Sequence, residues 1–105
     1  MGACYAVFMR APLSTDLGDP QARPYFLWDE DTTIGEWRAK LAIADDEEKA
    51  RLLGKMMREA RDTDVWFFTT VKEVRRLFPR IERYLGRRRA FWIYLLDAWQ
   101  AHGLT

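Results

Sequence analysis

Val71, Val74, Phe78, Ile81 and Leu85 stand three, four, three and four residues apart. That spacing places five apolar side chains on one face of an α-helix and on no face of a strand. Lys72, Arg76, Arg80, Arg83 and Arg87 repeat at four, four, three and four. At about 100° per residue the two stripes point roughly opposite ways. A core face and a cationic face are thus written into one segment. Pro79 interrupts the hydrogen-bond ladder between them. The expectation is two short helices with a bend near Leu77–Pro79, so that the opposition of the faces is approximate.

The remaining helices announce themselves by their ends. Thr33 and Glu36, Asp45 and Glu48, and Thr70 and Glu73 each have the spacing of a capping box. The first predicts a helix to about Ile43 with Ile34, Trp37 and Leu41 inward. The second predicts a helix over roughly 46–61 that buries Ala50, Leu53, Met57 and Ala60, with Leu52 and Met56 widening the face. Gly54 fits close approach by a ring. Gly86 reads as a stop, after which a last helix covers about 87–101 with Phe91, Trp92, Leu95, Leu96 and Trp99 on its main face. Ile93 and Tyr94 lie off that face, so this helix is either central or half used by a partner. Val65–Phe68 is too short for periodicity to separate turn from strand; a turn fits better, because no convincing second strand is present.

No alternating pattern or internal repeat appears. The expectation is an all-α fold, a single compact domain of four or five short helices over residues 24–105. Residues 1–23 would form a flexible N-terminal arm, tied down only if its apolar pieces dock. Whether Met1 or Met9 starts the chain stays open.

With 105 residues, one domain is the default. Apolar residues at 49% and charged residues at 31% are a folding composition. The start of the chain lacks the basic leader of a signal peptide, and the apolar run 90–96 closes at Asp97, far short of a membrane span. A single cysteine excludes an intramolecular disulfide and fits a reducing, cytoplasmic setting. The net charge of +1 conceals an asymmetry. Residues 1–50 carry five Lys and Arg against ten Asp and Glu; residues 51–105 carry twelve against six. An acidic half of this kind can cover a basic half within one molecule or between two.

No catalytic or metal-binding motif emerges, and no cofactor is implied. His102 has no nameable orienting partner or nucleophile. Cys4 has no histidine to activate it. Asp29, Glu30 and Asp31 are adjacent at a helix start, which suits capping better than convergence on one ion. The aromatic set Trp66, Phe67, Trp92, Tyr94 and Trp99 reads as core first. At 14% aromatics with five tryptophans, however, a chain this short leaves some rings over for a surface. The arginine surface over 72–89 has three readings: a solvated or self-paired face, a protein-binding face, or a phosphate-binding face through Lys72, Arg76, Arg80, Arg83 and Arg87.

Three fragments carry a resemblance: Arg-Pro-Tyr-Phe-Leu-Trp-Asp at 23–29, Asp-Val-Trp at 64–66 followed by Thr70 and Glu73, and the final tryptophan helix ending at Trp99. Together they resemble a group of small bacterial helical proteins encoded beside abortive-infection-type nucleotidyltransferase toxins. Residues 1–22 and the basic run Arg87–Arg89 depart from that group. The resemblance implies a non-enzymatic antitoxin-like or accessory partner of a nucleotidyltransferase. Trp28 and Trp66 would anchor the partner, and Arg87, Arg88 and Arg89 would meet its acidic groups. The alternative is a small nucleic-acid-binding regulator. Homo-oligomerisation stays open.

Overall fold

The computed structural model describes residues 12–101. Cys4, the apolar pieces of residues 5–9 and His102 lie outside the described residues. Five α-helices are present among those described: α1 (Ile34–Ile43), α2 (Asp46–Glu59), α3 (Asp62–Val65), α4 (Val71–Ile81) and α5 (Arg89–Ala101). The all-α expectation holds, with one addition. Leu13–Ser14 (β1) and Arg23–Pro24 (β2) form a two-residue parallel pair, in the register Leu13↔Arg23 and Ser14↔Pro24. The chain divides into two compact units, up to Ile43 and from Ala44.

In the first unit, the segment before Pro24 is held by more than β1. The amides of Ile34 and Gly35, two of the orphan donors at the start of α1, donate to the carbonyls of Ala22 and Pro20 at 2.9 and 3.0 Å. Gly35 permits this approach, since a Cβ there would stand 3.2 Å from the Pro20 carbonyl oxygen. The Thr33–Glu36 capping box closes in both directions: Glu36 N–H donates to Thr33 Oγ1 at 3.2 Å, and Thr33 N–H to Glu36 Oε1 at 2.8 Å. Arg23 is buried and donates from Nε and Nη2 to the Glu30 carbonyl. Leu17, Phe26, Leu27, Ile34, Trp37 and Leu41 supply the buried apolar side chains.

In the second unit, Asp45 caps α2 through Glu48 N–H at 2.8 Å, and Thr70 caps α4 through Glu73 N–H at 3.1 Å. The predicted apolar face of α2 is buried throughout, from Ala50 to Ala60. Gly54 lies under the 3-10 turn Glu82–Tyr84, where an added Cβ would stand 2.5 Å from Tyr84 Cβ. Steric room for Tyr84 therefore explains a glycine in mid-helix.

Three boundaries differ from the sequence expectation. First, α4 continues through Pro79 to Ile81 and tightens into the 3-10 turn, rather than dividing at Leu77–Pro79. Pro79 sits in the last turn, so its missing N–H removes one bond near an end that is already closing. Second, α2 stops at Glu59 instead of about Arg61. Ala60 turns extended and its carbonyl accepts from Arg88 Nη1 at 2.6 Å. Third, Gly86 takes a positive φ of 54° and opens a 3-10 turn over Gly86–Arg88, so α5 begins at Arg89.

Candidate interaction surface

Two features of the second unit compete for the role of working surface: the arginine face of α4 and the aromatic outer side of α5. The first is largely occupied from within. Arg76 reaches Asp46 through both terminal nitrogens, at 3.0 and 3.1 Å, and grips Glu73 one turn back on its own helix. Lys49 also donates to Glu73, at 3.0 Å. Arg80 pairs with Glu47 at 2.7 Å, and Arg83 pairs with the same carboxylate. The acidic first turn of α2 thus lies against the cationic stripe of α4, and part of the charge asymmetry of the sequence is paired within one unit.

The electrostatics follow from the contacts. Hydrogen bonds from Arg76 and Lys49 hold the Glu73 carboxyl at about 2, against an ordinary 4.5. The Arg76 hydrogen bond lowers Asp46 as well, and Arg76 itself is raised by the same two carboxylates. These groups are about half exposed, apart from the more sheltered Glu73 and Lys49. Solvent screens pairs this exposed, so each adds little to stability. Lys72 and Arg87 form no hydrogen bond or ion pair among the described residues.

Around α5 the construction is aromatic. Trp92 is fully buried, and its Nε1 donates to the Met57 carbonyl at 2.9 Å. That carbonyl belongs to the last turn of α2 and has no partner inside its helix. Trp66 stands edge-on to Trp92, with centroids 5.9 Å apart, and Trp99 lies 5.4 Å from Trp66. Phe91 meets Trp92 at 5.6 Å. The Arg88 guanidinium stacks over Phe91 at 5.0 Å while donating to Ala60. Arg88 therefore places a cation at the negative end of α2.

The predicted anchors are thus sorted by environment. Trp66 is half-buried in the ring cluster, Arg88 is engaged in the fold, and Arg89 pairs with Glu82. Arg87 is exposed and unengaged. Trp28 is 59% exposed in the first unit. Trp66 and Arg88 both border Trp92. The residues that α5 and its neighbours turn outward are Phe67, Phe91 and Tyr94, at 55%, 38% and 69% exposure. Of these, Phe91 departs from the inward face that the helical spacing predicts for it, whereas Tyr94 lies off that face in the sequence as well.

Beside them, α4 and α5 enclose a groove of about 270 Å³ lined by Arg75, Phe78, Pro79, Ile93, Leu96 and Asp97. Arg75 crosses it, donating to the Leu96 carbonyl at 2.5 Å and to Gln100 Oε1 at 2.8 Å. Its Nε is buried without a partner. Among the described residues no three His, Cys, Asp or Glu side chains are placed to hold a metal ion. No helix among them is long and apolar enough to cross a membrane. No protein-family model matches the chain, and no curated protein or solved structure is significantly similar to it.

Proposed function

We propose that this chain is a non-enzymatic binding protein, an antitoxin-like or accessory partner of a nucleotidyltransferase-type toxin that acts in the bacterial cytoplasm by occluding its target. The observation that carries the reading is the pairing of large exposed rings with an unengaged cation in one unit: Phe67, Phe91 and Tyr94 with Arg87. Exposed aromatic surface rimmed by charge is the usual composition of a protein-binding hot spot. Trp28 offers a further anchor on the first unit. The choice of a nucleotidyltransferase as partner rests on the resemblance of residues 23–29, 64–73 and the last helix.

The phosphate-binding alternative requires a polyanion to displace Asp46, Glu47 or Glu73 from Arg76, Arg80 and Arg83. That competition weighs toward a protein partner. Co-expression with the nucleotidyltransferase of the neighbouring reading frame tests the reading. A co-purifying complex and rescue from toxicity are expected, with Phe67→Ala and Trp28→Ala weakening capture at unchanged thermal stability. No complex and no rescue would reject it.

A further inference from the structure

Arg75 stands apart from its neighbours on α4. Arg76 and Arg80 are answered by carboxylates, whereas Arg75 donates only to uncharged oxygens, the Leu96 carbonyl and Gln100 Oε1. Its Nε is buried without a partner, and no carboxylate among the described residues pairs with it. A guanidinium carries five N–H donors, so both terminal nitrogens keep one to spare. A cation taken out of water without a counter-charge carries a desolvation cost that an anion beside it would offset. Asp97 lines the same groove from α5. It is exposed and forms no hydrogen bond or ion pair among the described residues, so it does not close onto Arg75. One groove therefore holds two opposite charges that do not neutralise each other.

The rest of the lining is apolar: Phe78 and Pro79 from α4, Ile93 and Leu96 from α5. Phe78 belongs to the stripe that the helical spacing turns inward, yet it is only half-buried, because it forms part of this groove wall. A volume of about 270 Å³ lies at the lower end of small-molecule sites and suits one compact ligand. The signs of the two charges select which. A simple carboxylate would satisfy Arg75 and be repelled by Asp97, and a simple amine would meet the reverse. A zwitterion with both charges on one carbon satisfies the two together. An apolar side chain on that same carbon would cover Phe78, Pro79, Ile93 and Leu96.

We infer that the groove between α4 and α5 binds a free α-amino acid with a large apolar side chain, its carboxylate on the spare N–H groups of Arg75 and its ammonium on Asp97. An open groove holding a ligand of about a dozen heavy atoms gives a dissociation constant on the order of 0.1–1 mM. The inference concerns the second unit alone and does not depend on any toxin partner.

An amide-resolved NMR titration of the full chain with L-phenylalanine and with L-leucine tests the site. Saturable shifts centred on residues 75–79 and 93–97 are expected. Hydrocinnamate, which lacks the ammonium, and phenethylamine, which lacks the carboxylate, are expected to bind at least about fivefold more weakly than L-phenylalanine. Asp97→Asn changes an exposed side chain, so the fold and thermal midpoint should persist while the preference for L-phenylalanine over hydrocinnamate disappears. Arg75→Gln should abolish the preference over phenethylamine. Because Arg75 also ties α4 to α5, its thermal midpoint is read alongside, and Asp97→Asn decides the matter where that variant does not fold. No saturable shift with either amino acid overturns the inference, as do shifts that lie away from the groove. Equal affinity of the parent for either single-charge analogue overturns it, and so does an Asp97→Asn chain that still prefers L-phenylalanine to hydrocinnamate.

Discussion

Gly54→Ala sets two opposing effects against each other at one position. Alanine is the better helix former, by about 1 kcal/mol in an exposed interior. Here, however, the new methyl would stand 2.5 Å from Tyr84 Cβ and 3.2 Å from Tyr84 Cγ. The obstructing atom is anchored to the backbone of the 3-10 turn Glu82–Tyr84, so no rotamer change relieves it. The turn must shift by about 1 Å, which loosens the Arg58 Nη1 hydrogen bond to the Tyr84 carbonyl at 3.1 Å and the seat of buried Leu85. Overpacking of this kind costs about 1–3 kcal/mol. Set against the propensity gain this leaves a net loss of about 0–2 kcal/mol, and an approach of 2.5 Å to a backbone-anchored Cβ places it toward the upper end. Urea unfolding followed by circular dichroism reads it directly, and the thermal midpoint falls by roughly 5–10 °C. A cycle with Tyr84→Gly sharpens the test: removing Tyr84 Cβ removes the clash, so the double variant loses less than the two single losses added. An unchanged or raised midpoint for Gly54→Ala would refute the packing argument.

Other perturbations read other parts of the account. Trp92→Phe strands the buried Met57 carbonyl and is expected to lose about 1–3 kcal/mol in chemical denaturation. Arg88→Ala, which uncaps Ala60 and bares Phe91, should lower stability by about 1 kcal/mol. Arg87→Ala should stay within about 0.5 kcal/mol of the parent in the same assay. Glu73 has a folded value below its unfolded one, so its contribution is full above about pH 4.5 and disappears as pH falls through about 2. After solvent screening this amounts to about 1 kcal/mol, and Glu73→Gln should flatten that limb of an acid titration monitored by stability. Glu47→Gln releases Arg80 and Arg83, so salt-sensitive capture of a nucleic acid should be stronger for this variant than for the parent.

What could be read before the structure was local. The Thr33–Glu36 pair, Asp45 and Thr70 mark helix starts because a cap involves residues three apart, and in each the capping side chain accepts from the amide three residues on. Burial along α2 follows from periodicity for the same reason. Boundaries set by distant partners were not legible. The end of α2 depends on Arg88, twenty-eight positions away, taking the Ala60 carbonyl. The reciprocal half of the Thr70 box does not form, because Lys49 and Arg76 claim the Glu73 carboxylate. The β1–β2 pair is two residues long and carries no alternation to detect. The charge asymmetry announced that acid would cover base, but not that Asp46 and Glu47 would meet Arg76, Arg80 and Arg83 in particular. For the candidate surface, the excess of rings was visible and Tyr94 stood off the main face of its helix, but the exposure of Phe67 and Phe91 was not legible. Phe91 and Trp92 are neighbours in a helix, and the choice between them follows from Trp92 reaching the Met57 carbonyl.

The central claim is that the aromatic outer side of α5 and Phe67, rather than the arginine face of α4, meets the partner. Hydrogen–deuterium exchange on the chain alone and in complex with the neighbouring nucleotidyltransferase tests this most directly. The account predicts added protection in peptides covering 66–68 and 87–101, with 72–83 unchanged. Protection confined to 72–83, with 66–68 and 87–101 unaffected, would contradict it.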